Sequence, residues 1–203
     1  MAIALTLSQI VELSGGDARR MKQLANDGVF LAIEEDRPSR AARRYSVSEA
    51  AIACIVAKLD AFRIAPSTLA ALAENLRNIY AVPARHGFKN REEGKRLWAR
   101  EILLGFENSD HKIKGAQERK ELALKMGLDE YPTGKMLGID SDEMHRINDW
   151  TNLEGAREGE RLQMFLNVKS DGSWHYWLST PIKDQEQDIY IVLNLHRILD
   201  VLR

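Results

Sequence analysis

The chain has 203 residues, of which 44% are hydrophobic and 29% charged, with a formal net charge of −1. This composition is typical of a folded protein and excludes a disordered chain, and no apolar run reaches the roughly 18 residues that a membrane span needs. The single cysteine, Cys54, excludes disulfide frameworks and thiolate-clustered metal sites within one chain.

The amino terminus has no basic residue before its apolar stretch, so it does not resemble a secretory signal and we expect a cytoplasmic protein. Charge is distributed unevenly along the chain. Residues 1–80 contain 10 basic and 9 acidic side chains, whereas residues 131–203 contain 8 and 12. The near-zero net charge argues against an anionic partner, but a nucleic acid contacts a local surface, whose charge can differ from that of the whole chain. The acidic final third is therefore not expected to contact DNA.

Two short helices are predicted at the start. Apolar residues from Leu7 to Leu13 follow helical spacing, with Thr6 or Ser8 as N-cap, and a glycine pair follows them. Asp17 is placed to cap a second helix. The buried face of that helix is predicted to hold Met21, Leu24 and Ala25. Two helices joined by a tight glycine turn are typical of a helix-turn-helix, although other helical hairpins share the pattern.

A hairpin is predicted next. The run Val29–Ile33 is β-prone, a polar tip with Pro38 follows it, and residues 43–45 form a second extended piece. Ser46 or Ser48 then caps a third helix. Its apolar stripe is predicted to be Ala51, Ile52, Ile55, Leu59 and Phe62. Pro66 begins a fourth helix, with a core face of Leu69, Leu72, Ala73 and Leu76.

The rest of the chain divides at its proline and glycine clusters. Residues 82–90 lack apolar periodicity and indicate a boundary, after which helices are predicted over 91–106 and 114–126. Asp140 caps a further helix through Trp150. Strands are predicted over 161–168, 174–179 and 188–193, with a turn at 170–173 and a terminal helix.

The predicted fold is mainly α with a small α+β C-terminal part. It divides into a winged helix-turn-helix over residues 1–82, a helical middle over 83–135 and an α+β domain over 136–203.

Three stretches of the first eighty residues resemble the MerR-type winged helix-turn-helix transcriptional regulators: LSQIVELSGG, DARRMKQLANDGVF and ARRYSVSEAAI. The resemblance covers about two-fifths of the chain. It implies a recognition helix over about 17–27 in the major groove and a wing over about 29–46 on the DNA backbone. The sequence departs from the family at Gln23 and Leu24, where members usually carry two tyrosines, so the set of base contacts differs.

The resemblance places Arg19 on the recognition-helix arginine of the family, and it places Arg43, Arg44 and Tyr45 on the backbone-contacting motif of the wing. Helical spacing independently puts Arg19, Arg20 and Gln23 opposite Met21 and Leu24, where a recognition helix meets base edges. The expected DNA-binding side chains are Arg19, Arg20, Lys22, Gln23, Arg40, Arg43, Arg44 and Tyr45. A solvated face on an ordinary helical hairpin is the structural alternative.

The predicted function is a sequence-specific DNA-binding regulator that acts in the cytoplasm at the nucleoid. Its expected partners are double-stranded DNA, a second copy of the chain and RNA polymerase, with no membrane, cofactor or metal. No acid, base and nucleophile constellation appears, so we do not expect an enzyme. Family members dimerise through a long helix after the DNA-binding domain, but Pro83 and Gly87 interrupt that stretch here, which favours dimerisation through the C-terminal strands and helix. The alternatives are a phage-type excisionase, which bends DNA, and a winged-helix interaction module without DNA binding.

Three further features have structural and functional interpretations. A cluster of polar side chains at the start of the helix after Asp140 could bind a hard metal, and it consists of Asp140, Asp142, Glu143 and His145. Helix capping is the favoured explanation of this cluster. Cys54 lies on an apolar stripe and is predicted to be a core residue. Trp174 and Tyr176 share one face of a strand, either as a ligand pocket or as packed core or dimer interface.

Overall fold

The computed structural model describes residues 4–33, 42–107, 115–168, 174–179 and 191–202. These residues are mainly helical, with small antiparallel sheets and a terminal helix. Contacts divide the chain into a first unit, residues 1–80 with 152–203, and a second unit, residues 81–151. Within the described ranges no helix is both long and apolar enough to cross a bilayer.

The first unit opens with β1 (Ala4–Thr6), α1 (Leu7–Ser14) and α2 (Ala18–Asn26). Thr6 caps α1 in a reciprocal arrangement with Gln9, and Gly15 ends the helix at a φ of 65°, which favours glycine. Asp17 caps α2 through a 2.7 Å hydrogen bond from the Arg20 backbone N–H. The predicted helices and the glycine turn between them are confirmed.

The segment from β2 (Arg44–Ser46) through α3 (Val47–Asp60) to α4 (Pro66–Tyr80) follows. Ser46 caps α3, as one of the two predicted capping residues. β2 pairs with β1 in antiparallel register, with Leu5 opposite Tyr45. The strand predicted over residues 29–33 is wrong: those residues form no strand, and Val29 and Phe30 are buried. The predicted tip over residues 34–40, and with it Arg37 and Arg40, lies outside the described residues.

The core of the first unit is built on α3, which is buried over most of its circumference. Its fully buried residues are Ala50, Ile52, Ala53, Cys54, Ile55, Val56 and Leu59. Burial raises the pKa of the Cys54 thiol to about 11, because a low-dielectric environment disfavours the thiolate. The prediction that Cys54 is a core residue is confirmed. Phe62 departs from the predicted stripe, because α3 ends at Asp60 and leaves the ring 57% exposed.

The C-terminal residues contribute a second sheet to the same unit. It consists of β3 (Gln163–Val168), β4 (Trp174–Ser179) and β5 (Ile191–Asn194), in the antiparallel order β4-β3-β5. α9 (Leu195–Leu199) and a 3₁₀ turn (Asp200–Leu202) follow, and α9 packs against α3. The predicted turn at 170–173 lies outside the described residues.

Two contacts tie these C-terminal elements to the N-terminal helices. The Asn75 side chain of α4 donates a 3.1 Å hydrogen bond to the Tyr176 hydroxyl, and Leu195 and Leu199 of α9 are fully buried. Residues 152–203 therefore group with residues 1–80, in contrast to the separate domain predicted over 136–203. Trp174 and Tyr176 stack at 6.0 Å between centroids and are partly buried.

The second unit is a helical cluster of α5 (Val82–His86), α6 (Arg91–Glu107), α7 (Ala116–Lys125) and the first part of α8 (Ser141–Arg157). α6 and α8 approach closely at Gly94, where an added Cβ would lie 2.5 Å from Cζ3 of Trp150. The loop before α8 is fastened to α6, because the buried Glu101 accepts a 2.8 Å hydrogen bond from the Leu137 N–H. The helices predicted over 91–106 and 114–126 are confirmed as α6 and α7.

Candidate nucleic-acid interface

The outer face of α2 carries four exposed polar side chains: Arg19, Lys22, Gln23 and Asn26. They lie opposite the buried Met21, Leu24 and Ala25, as the helical period requires. The face holds no acidic residue, since Asp17 and Asp27 sit at the two ends of the helix as caps. Sequence reasoning missed Asn26, although it continues the spacing of three and four residues from Lys22 and Gln23.

Arg20, by contrast, is partly buried and paired with Asp60 of α3. Its Nε lies 3.0 Å from Oδ1 and 3.2 Å from Oδ2 of Asp60, and its Nη1 donates to Gln23 at 3.1 Å. The hydrogen bond with Asp60 raises the pKa of Arg20. Arg20 thus braces α2 against the end of α3, which makes it a positioning residue rather than part of the open face.

A groove of about 640 Å³ lies beside this face, between the start of α1, the side of α2 and the segment leading into β2. Lys22 and Arg43 line it, and Arg43 Nη1 donates to Asn26 Oδ1 at 3.3 Å. Tyr45 also lines the groove but is only 1% exposed, so its ring belongs to the core. The groove thus brings together three of the predicted DNA-binding residues, Lys22, Arg43 and Tyr45. Arg44 is exposed on β2 and does not line the groove.

A buried ion pair holds the first residues of the predicted wing. Arg77 Nε lies 2.6 Å from Glu49 Oε1, and Glu49 Oε2 accepts a 2.9 Å hydrogen bond from the Leu31 N–H. Arg77 also donates to the Val29 carbonyl. Burial alone would lower the pKa of Arg77, but its hydrogen bonds to Glu49 raise it. Sequence reasoning missed this pair; the signal was a glutamate beside the apolar run of α3.

The acidic cluster at the start of α8 is a capping arrangement. Asp140 accepts a 2.7 Å hydrogen bond from the Glu143 N–H, as predicted for a cap. The Glu143 carboxylate accepts from Arg85 at 2.9 Å, His86 at 2.9 Å and Arg146 at 3.1 Å. Across the described part of the chain, no group of three or more His, Cys, Asp or Glu side chains is placed to hold a metal ion.

Replacing Glu143 should remove a pH-dependent part of the stability. Burial alone would raise the pKa of Glu143, but the hydrogen bonds from Arg85, His86 and Arg146 lower it from 4.5 to about 2. A carboxyl whose pKa is depressed by folding stabilises the protein above its ordinary pKa, and this contribution is lost as the pH falls toward the folded value. We expect Glu143→Gln to melt below wild type at pH 6, with the gap closing near pH 2.5, in thermal unfolding followed by circular dichroism. The exposed Glu130→Gln is the control, and a gap that is constant with pH would contradict the assignment.

No family model, no curated protein and no solved structure matches the chain. The resemblance to MerR-type regulators therefore rests on three short stretches of the first eighty residues.

Proposed function

We propose that the protein is a sequence-specific DNA-binding transcriptional regulator with a MerR-like winged helix-turn-helix, in which α2 enters the major groove. The observation that carries this proposal is the outer face of α2, where four exposed hydrogen-bonding side chains, two of them cationic, stand without an acidic neighbour between the caps.

The chemistry of that face suits direct readout of bases. An arginine pairs in bidentate fashion with guanine, and glutamine and asparagine pair with adenine. Arg19, Gln23 and Asn26 supply these three groups on one face of α2. Lys22, Arg43 and Arg44 flank them, where cations would meet the phosphates on either side.

Two ion pairs behind the exposed face of α2 support the same function. Arg20 fixes α2 to Asp60 of α3, and Arg77 with Glu49 fixes the segment Val29–Leu31. Side chains presented by a fixed frame lose less conformational entropy on binding, which favours affinity and specificity.

As a regulator, the protein is proposed to act at the nucleoid as a homodimer, with RNA polymerase as a further partner. Among the described strands, β4 and β5 form the two edges of the three-stranded sheet. Unpaired strand edges are suited to pairing with a second copy, which supports dimerisation through the C-terminal strands.

Arg44→Ala tests the backbone contact. Arg44 is exposed on β2, so its loss should weaken binding to every duplex alike and lower the slope of log affinity against log salt by about one. The measurement is fluorescence anisotropy with a labelled random-sequence duplex from about 50 to about 200 mM salt.

Arg161→Ala is the matched control, since Arg161 is exposed in the same unit and its replacement removes the same charge. An equal change of slope in both variants would show a bulk charge effect and contradict the contact. Failure of the wild-type protein to bind any duplex at low salt would favour the interaction module instead.

A further inference from the structure

An open cavity of about 530 Å³ lies in the second unit, between α6 and the segment that follows α7. One wall is the side of α6 that carries Arg96, Leu97 and Arg100, which lie within about one turn of each other. The other wall is formed by residues 128–130 and Pro132. Leucine and proline side chains on both walls give the cavity apolar surface next to its charged groups.

The two walls of this cavity carry opposite charges. Arg96 and Arg100 lie on the α6 wall, and Asp129 and Glu130 lie on the other. Within the ranges that the structure describes, Arg96, Asp129 and Glu130 are exposed and form no ion pair, whereas Arg100 pairs with Glu101. A ligand with a single charge would be attracted by one wall and repelled by the other. The lining therefore favours a ligand that carries one positive and one negative group.

Hydrogen bonds within the second unit hold the two walls together. The Tyr131 hydroxyl donates to the Leu103 carbonyl of α6 at 3.2 Å. Arg100 Nη2 donates to the Lys135 carbonyl at 3.0 Å. These contacts fasten the chain on both sides of Pro132 to α6. Because the walls are positioned before a ligand arrives, less conformational entropy is lost on binding.

We propose that this cavity binds a free amino acid with an apolar side chain. The carboxylate of the ligand accepts hydrogen bonds from Arg96 and Arg100, since a guanidinium matches a carboxylate in a bidentate geometry. The ammonium group of the ligand donates to Asp129 and Glu130, and its side chain packs against the apolar surface of the cavity. The site lies within the second unit and does not depend on DNA binding by α2.

The first test uses leucine and two analogues with the full chain. Isocaproate lacks the ammonium group of leucine and isoamylamine lacks its carboxylate, while both keep the side chain. A ligand of this size is expected to bind with a Kd of about 1 mM. In nitrogen-15 correlation spectra, leucine should shift the amide signals around the cavity and bind about tenfold more tightly than either analogue. Equal affinities for the three ligands, or no shifts at about 10 mM leucine, would overturn the site.

Variants of the two walls separate the two ends of the ligand. Arg96→Gln should weaken binding of leucine and isocaproate about three- to tenfold without weakening that of isoamylamine, and Asp129→Asn should weaken leucine and isoamylamine but not isocaproate. Lys120→Gln and Glu121→Gln are the matched controls, because both residues are exposed on α7 and do not line the cavity. Equal effects of the wall variants and their controls would overturn the assignment.

A dipeptide distinguishes the two sources of this chemistry, because the ends of a short peptide carry the same two charges as a free amino acid. Dileucine holds these charges farther apart than leucine does. Tighter binding of leucine supports a free amino acid as the ligand, whereas tighter binding of dileucine would overturn it and assign the cavity to a short peptide. Absence of binding by both would overturn the site and leave the proposed DNA binding by α2 standing, since no residue of α2 takes part.

Discussion

Arg77→Met should lower the free energy of unfolding by about 3–5 kcal/mol, because it leaves the Glu49 carboxylate buried without its cation. The two side chains are only 16% and 11% exposed. Arg77 also donates to the carbonyl of Val29, so the variant loses the anchor of the segment that leads toward residues 34–41. We expect weaker DNA binding together with the loss of stability.

Urea unfolding followed by circular dichroism measures the effect, and the structure offers a close control. Glu74 meets the same guanidinium at 3.0 Å, but its side chain is 63% exposed. Glu74→Gln should therefore cost less than about 1 kcal/mol, as exposed ion pairs do. The double variant Arg77→Met with Glu49→Gln should lose less free energy of unfolding than the two single variants added together. The reason is that the double variant leaves no buried charge without its partner. A cost of Arg77→Met no larger than that of Glu74→Gln would contradict the role of the buried pair.

Arg19→Ala should reduce discrimination between DNA sequences by about 1–3 kcal/mol at one base pair of each half-site. Arg19 is exposed in the first turn of α2 and has no role in the core, so the variant should fold with wild-type stability. Its affinity for random duplexes should fall no further than that of Arg161→Ala, which measures the loss of one surface charge. Competition anisotropy with specific and random duplexes gives both quantities, and an equal loss on both duplexes would contradict base reading by Arg19.

The local structure of the N-terminal helices was predictable because each carries its own boundary signals. Asp17 and Ser46 cap their helices, Pro66 begins α4, and Gly15 supplies the left-handed residue after α1. Helical spacing also separates the buried Met21, Leu24 and Ala25 from the open face, so the main part of the candidate site follows from the sequence.

The errors lie where distant residues decide the structure. Residues 29–33 have the composition of a strand, but Glu49 and Arg77 hold the start of this segment. The Ile33 N–H donates to the Arg44 carbonyl of β2 at 2.8 Å, whereas the strand that pairs with β2 is β1, near the amino terminus. The sequence also carried no sign that the Arg20 guanidinium pairs with Asp60, forty residues later. Periodicity and propensity report on neighbours in sequence, and they carry no information about such pairs.

The individual residues of the candidate interface were predictable only in part. Lys22, Arg43 and Tyr45 were expected to bind DNA, but that they line one groove with the first turn of α1 depends on tertiary packing. Asn26 became part of the open face only once the exposure of α2 was known.

Selection of duplexes from a random library, by wild type and by Arg19→Ala, tests the central claim most directly. We expect the wild-type protein to enrich one motif arranged as an inverted repeat, since a homodimer reads two half-sites. Arg19→Ala should enrich the same motif with the preference lost at one position in each half. Enrichment of no motif by the wild-type protein, or an unchanged motif with Arg19→Ala, would contradict sequence reading by α2.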